Sequence, residues 1–194
     1  MSRIFQQLKR LSAALLLACL AQAPAAHAAL LSLQPFDTLA ESGDTVSLDL
    51  VVSGLGNFGP DSLGAFDIFV GYDTGALSFA GYTLGNLLGR VDLFEAIDAS
   101  GGAGGGAVNI AEVSLLSATS LNTLQPGQFV LASLRFDVLD LDAGASTALS
   151  ILQGALLADA AGSRLAISGT TQATISSRAA VPLPGTLLLL LSAL

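Results

Sequence analysis

The chain has no tryptophan, and it has one residue each of cysteine, histidine, methionine and lysine. These single residues are Cys19, His27, Met1 and Lys9, so all of them lie within the first 28 positions. Beyond them the chain has no thiol, imidazole or amine side chain. This excludes disulfides, Ser-His-Asp and Cys-His nucleophile systems, lysine Schiff bases and the usual zinc and copper sites from the rest of the protein.

The N-terminus has the layout of a secretory signal peptide. A basic start is followed by an apolar stretch over residues 11–20, interrupted by one serine. The triplet Ala26-His27-Ala28 then has the small-x-small form of a cleavage site. We expect cleavage after Ala28, which makes residues 1–28 the signal peptide and Ala29 the first mature residue.

The same segment permits a second interpretation. Leu16-Leu17-Ala18-Cys19 resembles a lipobox, which would make Cys19 a lipidated N-terminus. The triplet that ends at Ala28 fits the layout of a signal peptide better, because small residues and cysteine are ordinary in the apolar stretch. Under both interpretations the protein is exported.

Carboxylates are the main chemical resource of the mature chain, whose fifteen acidic side chains and four arginines give a formal charge of 4 − 15 = −11. A chain with this negative charge does not offer the basic groove that binds a phosphate backbone, so we expect no nucleic-acid partner. Carboxylates can hydrolyse glycosides or bind calcium. The nearest calcium loop starts at Asp140 but has Ala145 and Ile151 where an EF-hand needs glycine and glutamate. Sugar clefts are often lined by aromatics, and these are scarce here. We therefore predict a non-enzyme without catalytic residues, cofactor or metal.

One motif imitates a nucleotide site. Gly54-Leu55-Gly56-Asn57-Phe58-Gly59 spells G-x-G-x-x-G after a predicted strand, but that fingerprint requires a helix to start there. Pro60 and residues 61–64 continue the turn instead. We therefore predict a flexible inter-strand loop without a dinucleotide.

Alternation of apolar and polar residues dominates positions 29–180, a length that suits one domain with a substantial core. It is clearest over residues 45–52, 65–72 and 130–138, and such alternation predicts half-buried strands. The residues predicted to face the core are Val46, Leu48, Leu50 and Val52, then Phe66, Ile68, Val70 and Tyr72, and finally Val130, Ala132, Leu134, Phe136 and Val138.

The rest of the body completes an all-β pattern. Further strands are predicted at residues 76–80, 108–116, 147–157 and 164–175, with turn-forming residues between them. Residues 87–99 suit a short helix or an irregular loop. Residues 100–106 are almost all glycine and predict a mobile surface loop, because glycine loses the most backbone entropy on ordering. Many short strands separated by turns predict an antiparallel β-sandwich of the jelly-roll type.

The C-terminus does not end as a folded domain does. The hexapeptide at 181–186, VPLPGT, opens directly into an apolar run that has one serine and no charge. Its two prolines disfavour regular pairing and separate the run from the body. This tail resembles the PEP-CTERM sorting signal of Gram-negative exported proteins, V-P-E-P-G followed by a membrane span and a basic end. The matching residues are Val181, Pro182, Pro184 and Gly185, while Leu183 stands in place of the glutamate.

Two features of that family are missing. Eight residues follow Thr186, against about 20 for a membrane-spanning helix, and no basic cluster closes the run. We expect either that the protein continues past Leu194 or that the signal is degenerate, and the alternative is a final hydrophobic strand. The resemblance implies an exosortase-type sorting machinery as partner and transient anchoring in the inner membrane. It also implies a final location at the cell surface or in the extracellular matrix.

Between the two signals the sequence resembles cohesin domains over about residues 31–175. The segments that carry the resemblance are GDTVSLDL at 43–50, LGAFDIFVGYD at 63–73 with LSF at 77–79, LASLRF at 131–136 and the D-x-x-G turn at 159–162. Cohesin domains are non-catalytic binding modules with a sandwich fold. Cohesins proper bind calcium-loaded dockerins, but this chain has no dockerin repeat, so the resemblance implies the fold and not that partner.

Taken together, the sequence predicts a signal peptide at 1–28, a cohesin-like sandwich at 29–176, and a linker with a sorting tail at 177–194. The predicted protein is a non-enzymatic component of the cell surface or of an exopolysaccharide matrix, and its partner is an extracellular polysaccharide or a surface protein. Two alternatives stay open. A carbohydrate-binding module would have a flat exposed aromatic strip, and a glycan hydrolase would have two acids about 5–10 Å apart in a cleft.

Overall fold

The computed structural model describes residues 28–178, which form two packed β-sheets. The smaller, five-stranded sheet contains β1 (Ala28–Gln34), β3 (Thr45–Ser53), β5 (Leu77–Leu84), β9 (Gln128–Val138) and β12 (Ala166–Thr171). Its strand order is β12-β1-β3-β9-β5. Pairing is antiparallel throughout except between β1 and β12.

The larger, eight-stranded sheet is made of shorter strands. These are β2 (Asp37–Leu39), β4 (Leu63–Gly71), β6 (Ala96–Asp98), β7 (Gly102–Gly104), β8 (Ala107–Ser114), β10 (Ser146–Ile151), β11 (Leu156–Asp159) and β13 (Ala173–Ser176). The order is β2-β13-β10-β4-β8-β6, with β11 also paired to β4 and β7 also paired to β8. A 3₁₀ turn covers Val91–Leu93 and one α-helix, α1, covers Ala118–Leu124. The predicted all-β sandwich is confirmed.

The core lies between the sheets and is built from the predicted apolar stripes. All four inward residues of β3 are buried, as are Phe66, Ile68 and Val70 of β4. Phe136 of β9 is fully buried, and Tyr72 packs edge-on against it with ring centroids 5.2 Å apart. Period-two alternation therefore identified the inner faces of these strands correctly.

One member of the β9 stripe was predicted on the wrong face, because Val130 is exposed. The β3–β9 register shifts at this point, so that Leu50 lies opposite Ala132 while Val51 lies opposite Val130. Leu131 is therefore the extra residue of a β-bulge. A bulge moves every residue on one side of it to the other face, and it is Phe129 and Leu131 that enter the core.

Residues 101–105 are exposed, as predicted for a surface loop, but the prediction that residues 100–106 form no regular element was wrong. Gly102–Gly104 forms β7, which pairs with β8, and the Gly101 N–H donates to Asn109 Oδ1 at 2.8 Å. The unpaired edge of β8 supplies backbone partners that offset the entropy cost of ordering glycine. Gly105 and Gly106, at φ 60° and 81°, make the turn that glycine permits.

The other boundaries differ in smaller ways. The segment predicted as one strand at 147–157 is divided between β10 and β11 by a turn. The segment at 164–175 is divided between β12 and β13, which belong to different sheets. Residues 87–99 contain the 3₁₀ turn and β6.

The processing sites fall at or beyond the edges of the described residues. Ala28 and Ala29 are the first residues of β1, whereas Ala26 and the sorting motif Val181, Pro182, Pro184 and Gly185 lie outside the described part. Their roles therefore stay predictions. Over positions 28–178, no helix has the length and apolar character needed to cross a membrane.

Candidate binding face

The two outer faces of the sandwich differ in polarity. On the five-stranded sheet, polar residues stand opposite one another on β3 and β9: Thr45 with Asp137, Ser47 with Arg135, and Asp49 with Ser133. The Thr45 hydroxyl donates to Asp137 Oδ1 at 2.6 Å, and the Ser133 hydroxyl donates to Asp49. Such self-paired polar rows are typical of a face that meets water.

The outer face of the eight-stranded sheet is apolar. One row crosses four strands, because Ile97 of β6 lies opposite Val113 of β8, Val113 opposite Ala65 of β4, and Ala65 opposite Ala158 of β11. Ile97 and Val113 remain 50% and 40% exposed. The following rows place Ala111, Asp67 and Leu156 together, and then Asn109 beside Phe69. These residues define the apolar face: Ala65, Asp67, Phe69, Ile97, Asn109, Ala111, Val113, Leu156 and Ala158.

A single polar pair stands in the apolar face. The Asn109 side-chain amide donates to Asp67 Oδ1 at 2.5 Å, and Asn109 is itself held by the Gly101 N–H. The second carboxylate oxygen of Asp67 accepts no hydrogen bond from the described residues. A shallow recess of about 390 Å³ lies beside Asp67, between β4, β8 and β11, with Arg164 at its rim. The face therefore offers one oriented acceptor within an apolar surround.

A buried carboxyl lies directly behind this face. Glu112 of β8 points inward with 0% exposure, opposite Phe66 of β4 and Asp98 of β6. Neither of its carboxyl oxygens has a hydrogen-bond partner among the described residues. Burial, and to a smaller extent the charge of Asp98, raises the pKa of Glu112 to about 7. Sequence reasoning missed this residue, although Val108, Ile110 and Glu112 share the inward period-two positions of a predicted strand.

The neighbouring sheet edge is closed by one side-chain bond. The Tyr82 hydroxyl of β5 donates to Asp98 Oδ2 of β6 at 2.7 Å, which joins the two sheets. This hydrogen bond raises the pKa of Tyr82. Burial acts to raise the pKa of Asp98, but the hydrogen bonds from Tyr82 and Ser100 outweigh it, so that the pKa of Asp98 lies below its usual value. Outside this bond an open cleft also contains Arg90 and Asp92, which form an exposed ion pair.

The pair Asp98 and Glu112 is the natural test of the hydrolase alternative. Directly opposed residues on antiparallel strands have Cβ atoms about 4.5–5.5 Å apart, which is near enough for two carboxyl groups to reach the separation of catalytic acids. Glu112 is fully buried, however, so its carboxyl cannot contact a glycan in the cleft. This pair therefore cannot act as a glycosidase couple in the described conformation. Within residues 28–178, no three side chains of the His, Cys, Asp and Glu types stand close enough together to hold a metal ion.

The aromatic residues also bear on the carbohydrate-binding alternative. Tyr72 and Tyr82 are only partly exposed and pack against Phe136 and Phe79 respectively. Of the strongly exposed phenylalanines in the described part, Phe69 alone lies on a sheet face, while the others lie on connecting segments. The sheet faces of this part of the chain therefore do not present a flat aromatic strip.

Comparison with known proteins identifies the fold. No family model and no curated protein matches the chain. CaCohA2 from Clostridium acetobutylicum matches at a TM-score of 0.62 and 18% identity, over 80% of this chain and 94% of that one. The sixth cohesin of Acetivibrio cellulolyticus scaffoldin B, solved with the Cel5 dockerin, matches at a TM-score of 0.61 and 17% identity, over 78% of this chain and 99% of that one. The seventh ScaB type I cohesin of Pseudobacteroides cellulosolvens matches at a TM-score of 0.60 and 17% identity, over 81% of this chain and 96% of that one. The described domain has the fold of a cohesin.

Most of the sequence motif that resembles cohesins has a structural role. Asp73, at the end of β4, accepts the Gly75 N–H at 2.8 Å and so fixes the turn into β5. Asp159 accepts the N–H groups of Ala161 and Ser163, both at 2.8 Å, in the D-x-x-G turn. Asp67 is different, because its side chain lies on the apolar face. It is the one acidic member of the motif that a partner could contact on that face.

Proposed function

We propose that this chain is an exported, non-catalytic binding module and that the apolar face docks a protein partner. The observation that supports this proposal is the contrast between the two outer faces of one sandwich. One face carries rows of polar side chains on β3 and β9, with Leu30 and Val130 as its exposed large apolar residues. The other exposes isoleucine, valine, leucine and phenylalanine side chains across four strands. A contiguous exposed apolar surface of this kind marks an interaction site in a soluble domain.

The chemistry of the face favours protein over polysaccharide. Ala65 and Ala158, which are half-buried, let a partner backbone approach closely, and the aliphatic side chains around them exclude water from the contact. Sugars instead require many polar groups or broad aromatic platforms. Asp67 then selects a hydroxyl, amide or cationic donor on the partner, and Arg164 adds one positive charge at the rim.

The solved structures of the same fold support a protein partner in general terms. They include cohesins in complex with dockerins, such as the CaDoc0917–CaCohA2 and scaffoldin B–Cel5 dockerin complexes. At 17–18% identity these proteins carry over the fold and not the partner. The neighbours also favour a binding module over an enzyme.

The location proposed for this module is the cell surface or extracellular matrix of a Gram-negative bacterium. The predicted signal peptide with cleavage after Ala28 and the predicted PEP-CTERM-like tail support it, with an exosortase-type machinery as the proposed sorting partner. Cleavage after Ala28 would remove one residue of β1, the one that pairs with Ala166, and β13 ends at Ser176 before the proposed tail. Under this proposal residues 29–176 are the module and residues 177–194 the linker and sorting tail.

The proposal is tested by photo-crosslinking from defined positions in the native host. A benzophenone amino acid replaces Val113 on the apolar face, and in a matched control it replaces Ser47 on the polar face. We expect ultraviolet light to join the Val113 probe to one discrete protein, with loss of the product when unlabelled protein is added in excess. The Ser47 probe should give no such product.

Two results would contradict the proposal. Equal crosslinking from both positions would mean that the contact is non-specific. A product that is digested by glycosidases and resists proteases would mean that the face contacts polysaccharide. Introducing Asp67→Lys together with the Val113 probe provides a further control, since it reverses the charge at the one oriented acceptor and should abolish the product.

A further inference from the structure

The buried Glu112 of β8 lies opposite a short strand at the edge of the sheet. We define the β6 edge as Ala96–Asp98, a three-residue strand whose backbone pairs with β8 and ends the sheet on that side. Its outward residue is Ile97 of the apolar face. Ala96 is its buried residue, and Asp98, directly opposite Glu112, is exposed toward the open cleft. The pairing with β8 continues at both ends, where Leu115 N–H donates to Glu95 O at 2.7 Å and Ala99 N–H donates to Ala111 O at 2.9 Å. A strand of this length at a sheet edge is still among the less stable parts of a domain.

The β6 edge lies between two defined positions of the backbone. On one side stands Phe94, whose backbone lies in the left-handed region at φ 57° and whose side chain is exposed. On the other side stands Ser100, which is fixed to Ala111 by hydrogen bonds in both directions, at 3.1 and 3.3 Å. Between these points, the side-chain bond from Tyr82 to Asp98 ties the edge to the opposite sheet.

The groups that face Glu112 leave an ionised carboxylate uncompensated. Phe66 of β4 lies opposite Glu112, and Leu157 of β11 lies opposite Phe66 on its other side; both side chains are apolar. β6 contributes Asp98, which is itself acidic, and β5 contributes Tyr82 through its bond to Asp98. The nearest basic residue of the adjoining cleft, Arg90, is exposed and paired to Asp92. An ionised, unpaired carboxylate in such surroundings carries a large desolvation cost, so the closed form holds Glu112 protonated.

From this arrangement we infer that Glu112 acts as a proton-controlled switch that holds the β6 edge closed when protonated and opens it when ionised. Ionisation places two carboxylates on opposed strand positions, and water reaches Glu112 most directly when the β6 edge moves away from β8. Ile97 then separates from Val113, and the apolar face loses its first strand. The consequence for binding rests on the proposed function, whereas the movement itself does not.

The direction of the pH dependence follows from linkage. The pKa of Glu112 in the closed form is raised to about 7 from an ordinary value of 4.5. Below pH 4.5 Glu112 is protonated in both the closed and the open form, so the closed form keeps its full stability. The ratio of closed to open forms falls about tenfold per pH unit as the pH rises toward 7, and it levels off above that. A partner that needs the intact apolar face binds more tightly in mildly acidic surroundings.

The experiment is amide hydrogen exchange of the free protein between pH 4.5 and 8, with rates corrected for intrinsic catalysis. In the wild type, protection of the Ile97 amide and of the Ala99 amide, which donates to Ala111 O at 2.9 Å, should fall about tenfold per pH unit up to pH 7. In Glu112→Gln it should be independent of pH, because the neutral amide keeps the volume but cannot ionise. Tyr82→Phe removes the tie to Asp98 and should lower protection at every pH without changing the slope.

A second measurement needs no variant. The chain has three glutamates, Glu41, Glu95 and Glu112, so carboxyl carbon labelling gives three NMR resonances to follow. One of them should titrate near pH 7. The inference is overturned if all three titrate as ordinary carboxyls or if the exchange slope persists in Glu112→Gln. It is also overturned if millimolar calcium removes the slope and a chelator restores it, since a cation and not a proton would then neutralise the site.

These outcomes are independent of the docking proposal. Exchange and titration are measured on the free protein, so they can fail while crosslinking from Val113 succeeds, and the reverse also holds. If both hold, the crosslinking yield from Val113 should decrease between pH 5 and pH 8 in the wild type and stay constant in Glu112→Gln.

Discussion

Truncation of Phe136 to alanine tests the packing of the sandwich most severely. Phe136 has 0% exposure and lies edge-on between Tyr72 and Phe79, with ring centroids 5.2 and 5.4 Å away. Removing a buried phenylalanine side chain costs about 3–5 kcal/mol, and the loss of two edge-to-face pairs places this case toward the upper end. We therefore expect a loss of about 4–5 kcal/mol in the free energy of unfolding.

The assay is equilibrium unfolding in urea followed by circular dichroism. With a urea m-value of about 2 kcal/mol/M, the midpoint should fall by roughly 2 M. Phe94→Ala is the matched control, since that side chain is 86% exposed and its removal should change stability by less than about 0.5 kcal/mol. An unchanged midpoint for Phe136→Ala would refute the register of β9, because a shift of one residue exchanges the two faces of a strand.

Three further predictions concern the switch, the N-terminus and the tail. As the pH rises from 4.5 to 7, the free energy of unfolding of the wild type should fall by up to about 3 kcal/mol, because Glu112 ionises more readily in the unfolded chain. Glu112→Leu should not show this loss when urea unfolding is measured over the same pH range. An equal dependence of the unfolding free energy on pH in both proteins would argue against the raised pKa of Glu112. Mass spectrometry of the exported protein should find Ala29 at its N-terminus, and a diacylglyceryl group on Cys19 would place it among the lipoproteins instead. A chain that ends at Ala180 should unfold at the same urea midpoint as the longer chain, whereas loss of folding would mean that residues 187–194 complete the core and would contradict the sorting proposal.

The fold was predictable from the sequence because its long strands alternate regularly. Val46 to Val52 on β3 and Phe66 to Val70 on β4 have one buried face each, and period two identifies that face without tertiary information. The β-bulge at Leu131 was not predictable, because it depends on the register between β3 and β9. The same holds for β7, which exists because β8 offers an unpaired edge to a glycine-rich segment.

The candidate site was less accessible to sequence reasoning. The apolar face arises from rows that cross four strands, so the neighbours of Val113 are set by strand order and not by sequence distance. Val113 and Ile97 are ordinary apolar residues in the sequence, and only their shared outward row makes them a surface. Glu112 did leave a signal, since an acid occupies an inward position of an alternating strand. Recognising it required knowing that no basic residue faces it.

The most direct test of the central claim, that the apolar face docks a protein, is the affinity of the crosslinked partner for three forms of the module. Val113→Lys places a charge in the middle of the face, and Ser47→Lys places the same charge on the polar face of the other sheet. With thermal unfolding used to verify that all forms are folded, Val113→Lys should weaken binding at least tenfold by titration calorimetry, while Ser47→Lys should bind as the wild type does. Equal affinity of Val113→Lys and the wild type, or weakening by Ser47→Lys alone, would contradict the claim.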